Sequence, residues 1–141
     1  MSIPDSNRKV LVVRPDQGRK YHMGRMRAVF FADGAETNAR YSISEWWLQP
    51  RTRGPGTHSH PEDHIFYVLS GTVSLLIDGE RTDAPRGSYA LIPGGVRHDF
   101  ENHGTDECGF ISINAPAGFE QMMPRIVQYL AEKPLGDVAD A

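Results

Sequence analysis

GTHSHPEDHIFYVLSG, residues 56–71, places three histidines, His58, His60 and His64, within seven residues and then runs into an apolar segment. Side chains alternate across a strand with period two, and positions 58, 60 and 64 differ by even numbers, so the three imidazoles can share one face. Pro61 interrupts the ladder between His60 and His64, so the spacing permits convergence without enforcing it. Histidines at a barrel mouth suit Zn, Fe, Ni, Mn or Cu, each giving one ring nitrogen at ~2.0–2.1 Å in the zinc case. A His-Ser-His pair in a Gly/Pro-rich loop is, taken alone, more often exposed polar surface than a metal site. A fourth group from elsewhere in the chain therefore decides the reading.

GSYALIPGGVRHDFEN, residues 87–102, supplies it. A strand, the turn Pro93-Gly94-Gly95 and a second strand carrying His98 can fold a fourth histidine back toward the first three. Around these two stretches, short strand-like pieces recur between Gly, Pro, Asn and Asp, the pattern of an all-β sandwich or barrel. They are KVLVV (9–13), RAVFFA (27–32), RYSISEWWLQ (40–49), HIFYVLSG (64–71), TVSLLIDGE (72–80), GSYALIP (87–93), VRHDFEN (96–102) and CGFISINA (108–115). Asp78-Gly79 reads as a two-residue type I′ hairpin, and Ser70-Gly71 as a second turn. Only the tail changes period: Phe119, Met122, Met123, Ile126, Val127 and Leu130 fall at helical spacing, with Pro124 opening a second helical piece.

The two histidine stretches together resemble the paired motifs of the cupin superfamily, written G-x5-H-x-H-x(3,4)-E-x6-G and G-x5-P-x-G-x2-H-x3-N. The second fits at Gly87, Pro93, Gly95, His98 and Asn102; the first fits at His58, His60 and Gly71. Thr52 stands where the leading glycine is usual, and His64 where the acidic residue is usual. The resemblance runs from Gly54 to Asn102, and two separated matches carry more than either alone. It implies a single cupin domain over 1–141: a double-stranded β-helix, or jelly-roll barrel, with a core over 27–116. An N-terminal strand arm at 9–13 and a short C-terminal helix within 118–133 complete the expected architecture.

Carried over by position, the resemblance implies that His58, His60 and His98 ligate one divalent transition metal per chain (Fe, Ni, Mn or Zn), with His64 in the place of glutamate. Replacing a carboxylate by a neutral imidazole raises the charge of such a centre by one, which favours anionic ligands. Three histidines completed by water or Glu62 form the other open arrangement; Asp63 has the wrong parity to share the face. Expected pocket walls are Trp47, Phe66, Val68 and Phe100. Since Trp46 and Trp47 are adjacent, at most one faces inward. Tyr41, Glu45 and Glu101 are the candidates for moving a proton. Arg51 and Arg53 precede the histidines and could hold a carboxylate near the mouth.

Composition narrows the function classes. The chain has 141 residues, 39% of them hydrophobic, and a formal charge of −3, which describes one ordinary globular domain. Fifteen basic against 18 acidic residues give no broad basic face, so nucleic acid is not an expected partner. No apolar run reaches the ~18 residues of a membrane span, and the chain reads as soluble and cytoplasmic. The single Cys108 excludes an internal disulfide and fits a buried strand position. The expected activity is metal-dependent small-molecule chemistry, foremost that of a dioxygenase on an oxygen-chelating substrate, because APAGFE (115–120) is similar to the tail of small quercetinase-like cupins. A redox-neutral isomerase or lyase and a non-catalytic metal- or ligand-binding module are the alternatives. KVLVV could pair with a second copy, so a homodimer is expected.

Overall fold

The computed structural model describes residues 9–139. Among the described residues nine strands form two sheets: β1 (Arg19–Met23), β2 (Met26–Ala32), β3 (Ser42–Leu48), β4 (Asp63–Ser70), β5 (Thr72–Ile77), β6 (Glu80–Pro85), β7 (Tyr89–Ile92), β8 (His98–Glu101) and β9 (Cys108–Ala115). The larger sheet runs β1-β2-β3-β9-β4-β7 and the smaller β6-β5-β8, with all neighbours antiparallel. A one-turn helix α1 (Gly34–Thr37), a 3-10 turn (Phe119–Met122) and helix α2 (Met123–Glu132) complete the described elements. The all-β jelly-roll expectation therefore holds, with its C-terminal helix in place.

The local signals explain the elements. Asp78 and Gly79 both take positive φ (49° and 84°), as a type I′ hairpin between β5 and β6 requires. Pro124 sits in the first turn of α2, where its missing N–H breaks no helical bond. Inward-facing residues of both sheets build one core, in which Phe66, Phe100 and Phe110 meet pairwise at centroid distances of 5.0–6.1 Å. Each such buried ring contributes about 2–3 kcal/mol of hydrophobic stabilisation. Cys108 is fully buried beside this core, and burial pushes its thiol up to about 12, so it is an inert strand residue.

One expectation at the N-terminal end is corrected. KVLVV forms no strand: Val10 and Val12 are 94% and 74% exposed, because no strand among the described residues offers them a ladder. The first strand is instead β1, whose mostly polar sequence RKYHM pairs with β2 through a tight turn at Gly24.

The outer face of the larger sheet is unusually apolar at its centre. Ile43, Ile113, Ile65 and Leu91 lie in one cross-strand row over β3, β9, β4 and β7, and Ile111, Tyr67 and Tyr89 lie in the next. Tyr67, Tyr89 and Leu91 are 48–63% exposed.

Candidate metal centre

The segment after β3 leads the histidines into place. Thr52, at the motif's glycine position, is fully buried and exchanges backbone hydrogen bonds with Asn102 (both 2.9 Å). Six residues later His58 does the same with His98, at 2.9 and 2.8 Å. This segment thus runs antiparallel to β8, which sets His58 directly beside His98, ring centroids 4.5 Å apart. Asn102 is buried and holds the start of the segment: its Nδ2 donates to the carbonyls of Leu48, Gln49 and Asp106, and its Oδ1 accepts from Gly104 N–H. The motif asparagine is thus an architectural residue.

The corner carrying His60 is held by the Pro93-Gly94-Gly95 turn. Gly95 N–H donates to the His60 carbonyl at 2.9 Å, and Gly94 N–H to Asp63 Oδ1 at 2.9 Å, so Asp63 serves the corner and lies off the histidine face. A Cβ on Gly94 would stand 2.1 Å from the Pro61 carbonyl oxygen, a backbone atom that cannot swing aside. Gly94→Ala is therefore expected to displace the corner, lowering stability by about 1–3 kcal/mol as overpacking does and weakening metal uptake. Urea unfolding and a metal titration check this, and wild-type values in both refute it.

Ring orientation follows from the backbone. Nδ1 of His58 meets the Gly56 carbonyl at 2.8 Å, Nδ1 of His60 the Glu62 carbonyl at 3.0 Å, and Nδ1 of His98 the Val96 carbonyl at 2.9 Å. A carbonyl only accepts, so each Nδ1 carries the proton and each Nε2 presents a lone pair. Ligand atoms of these three histidines all lie within 4.8 Å of one another. His60 Nε2 is buried with no hydrogen-bond partner. Buried polar atoms are normally paired, so this orphan and its two neighbours fit a divalent transition metal.

His64 is the most buried of the four after His98 and stacks on Phe66 at 4.0 Å. Its Nδ1 lies 3.2 Å from His98 Nε2, and its Nε2 lies 2.7 Å from Ser112 Oγ. A serine hydroxyl donates or accepts, so it supports either tautomer of His64. Burial pushes His60 down, pushes His64 well below the ordinary imidazole range, and brings His98 to about 4, against the opposing pull of the Val96 carbonyl. The imidazoles are held in the neutral form that ligates metals.

A cavity of about 640 Å³ opens over His58, His60 and His64. Trp46, Phe100 and Phe110 line it from the barrel, and Phe119, Ile126 and Leu130 from the 3-10 turn and α2. Phe119 reaches His60 at a ring distance of 5.5 Å. Of the expected walls, Phe100 is present. Phe66 backs His64 from behind, and Val68 is buried in the core away from the cavity lining.

Trp47 is corrected to Trp46. β3 turns Ser42, Ser44, Trp46 and Leu48 inward, so Trp47 and Glu45 project outward, hydrogen-bonded to each other at 2.6 Å, with Arg27 over the indole at 5.4 Å. Glu45 therefore does not reach the cavity. Neither does Tyr41, which is 38% exposed just before β3, nor Glu101, whose Oε1 lies 2.9 Å from His103 Nε2. Arg51 is ion-paired to Asp137 at 3.2 Å, and neither Arg51 nor Arg53 lines the cavity. The acidic residue that does is Glu62, whose buried Oε2 lies 3.5 Å from His60 Nδ1 and accepts no hydrogen bond. Ser112 and the α2 residues Arg125 and Tyr129 are further lining groups that the sequence reading did not single out. Ser112 lies opposite Phe66 in the β4–β9 register, a pairing that local sequence does not carry.

Known proteins bear on this geometry. The family model described as a cupin domain matches residues 44–114, from inside β3 through β9. Quercetin 2,3-dioxygenase of Bacillus subtilis (strain 168) is 33% identical over 92 residues, 63% of this chain and 26% of that protein. Endoribonuclease YbeY of Myxococcus xanthus (strain DK1622) is 29% identical over 111 residues, 78% of this chain and 35% of that protein. The matches thus span about a third or less of these relatives. The polyketide cyclase RemF from Streptomyces resistomycificus, at 18% identity and a TM-score of 0.67, covers 94% of this chain and 88% of its own, a likeness of fold. With the double-sheet barrel, the clustered histidines and a family match over half its length, the chain belongs to the cupin family.

Proposed function

We propose that this chain is a metal-dependent small-molecule enzyme, an oxygenase acting on a substrate that chelates through oxygen atoms, with His58, His60, His64 and His98 as the metal ligands. The observation that carries the reading is the cluster of backbone-oriented Nε2 lone pairs, one of them buried and unpartnered, beside a mostly apolar cavity that His58 and His60 line. When bound, a divalent Fe, Ni, Mn or Zn ion supplies Lewis acidity and open coordination positions. The chain's own residues do the rest. The three carbonyls orient the rings, Ser112 supports His64, and the aromatic walls exclude water from an apolar substrate. The partial likeness to quercetin 2,3-dioxygenase supports oxygen chemistry.

A redox-neutral isomerase- or lyase-like reaction is the second reading, supported by Glu62. Its carboxylate lines the cavity beside His60 and is placed to move a substrate proton. The test is metal content by plasma mass spectrometry on untagged protein, followed by oxygen uptake with catechols, flavonols and 1,3-diketones. Stoichiometric metal with substrate-dependent oxygen uptake is the expected result. Substrate turnover without oxygen uptake transfers the assignment to the second reading, and absence of metal after reconstitution overturns both.

The homodimer belongs to the same proposal. Its support is the two apolar rows on the outer sheet face, with β7 as an open edge and the exposed Val10 and Val12 as further unpartnered surface. A solution mass equal to one chain, 15.7 kDa, refutes it.

A further inference from the structure

Resting on the reading that a small molecule binds in this cavity, we infer that its substrate is an apolar carboxylate and that Arg125 of α2 binds the carboxylate group. Apart from the histidines, the charged residues lining the cavity are Glu62 and Arg125. Arg125 follows Met122 by three residues and precedes Tyr129 by four, and all three line the cavity, so this flank of α2 forms its roof. Arg19, Arg27, Arg51 and Arg81 each have a carboxylate oxygen within 3.2 Å. Arg125 has neither a hydrogen bond nor an ion pair among the described residues, and the first turn of α2 holds no acidic residue to neutralise it. A guanidinium stays charged throughout the physiological range and presents paired N–H donors that match a carboxylate. Arg125 is exposed where it lines the cavity, so water screens its charge in part, and its paired donors distinguish an anion from a neutral molecule of the same shape by a moderate factor. The remaining walls, including Met26, Trp46 and Phe110, ask for an apolar or aromatic body.

The test compares two probes with the same body, 3-phenylpropanoate and 3-phenylpropan-1-ol, binding to zinc-loaded protein. Trp46 lines the cavity, so its fluorescence reads binding independently of activity, and calorimetry gives the affinity. The wild type is expected to prefer the carboxylate. Arg125→Gln is expected to lose about tenfold in affinity for it, the scale of hydrogen bonds to a charged group, with affinity for the alcohol and metal content unchanged. Arg125→Lys should retain part of the preference. An equal preference in wild type and Arg125→Gln, which would follow if the carboxylate were held by the metal alone, overturns the inference; so does a wild type with no preference. The two readings fail separately. A protein that takes up no metal yet shows the Arg125-dependent preference sinks the metal assignment and supports the carboxylate site, whereas metal uptake without that preference does the reverse.

Discussion

Alanine in place of His98 is expected to lower metal affinity at least about tenfold, since even residues that merely orient a ligand are worth ~10–100-fold. His98 is the hub of the cluster: the rings of His58, His60 and His64 lie 4.5, 5.1 and 5.3 Å from it, and its Nε2 is the atom nearest His64. The residue is also 1% exposed, so its truncation leaves a cavity and costs some stability. His58→Ala, at a half-buried position, separates the two effects, because it removes a ligand with less disturbance of packing. Metal stoichiometry is measured on both variants after chelator stripping and reloading, with circular dichroism to confirm folding. Wild-type stoichiometry in both would sink the ligand assignment.

The second large effect is acid sensitivity of the metal-free protein. In an unfolded chain imidazoles take up protons below about pH 6.5. In the fold His98 resists protonation until about 4, and His60 and His64 are shifted in the same direction, His64 strongly. Between these limits the unfolded state binds more protons than the folded one, so stability is full above pH 6.5 and falls as the pH drops toward 4. His98 alone accounts for at most roughly 3 kcal/mol of that loss. Urea midpoints at pH 7.5, 5.5 and 4.5 with a chelator present measure it; midpoints that stay level or rise on acidification contradict it. Metal-loaded protein is expected to hold its midpoint further into acid, because the ion competes with protons for the same lone pairs.

The strands from β2 onward were legible, β6 only as the partner that the Asp78-Gly79 hairpin demands, because alternation, Gly/Pro punctuation and that turn signal agreed with one another. So was α2, with its change of period and Pro124 in the first turn. The N-terminal region was not. KVLVV has the composition of a strand but no partner, while RKYHM has a partner but little apolar content, and pairing partners are not written in local sequence. The wrong tryptophan has a related cause. Period two shows that Trp46 and Trp47 face opposite ways but not which of them is inside. The phase is disguised because the inner face near the site is polar: Ser42, Ser44, His64, Ser112 and Asn114 are buried, while Ile43, Ile65, Ile111 and Ile113 point outward. An apolar-inside rule reads those strands backwards. The same inversion placed Glu45 in the cavity, and Arg125 escaped notice because only the fold lays α2 across the barrel mouth.

The carbonyls that orient His58, His60 and His98 bear on how such a site changes over evolutionary time. Main-chain groups hold the ligand tautomers, whereas the walls and the anion-facing arginine are side chains, several of them on α2. A substitution at Ile126, Tyr129 or Arg125 can therefore exchange one substrate for another without reorienting a ligating nitrogen. Inheritance of the coordination chemistry and drift of substrate choice are assigned to different parts of the chain.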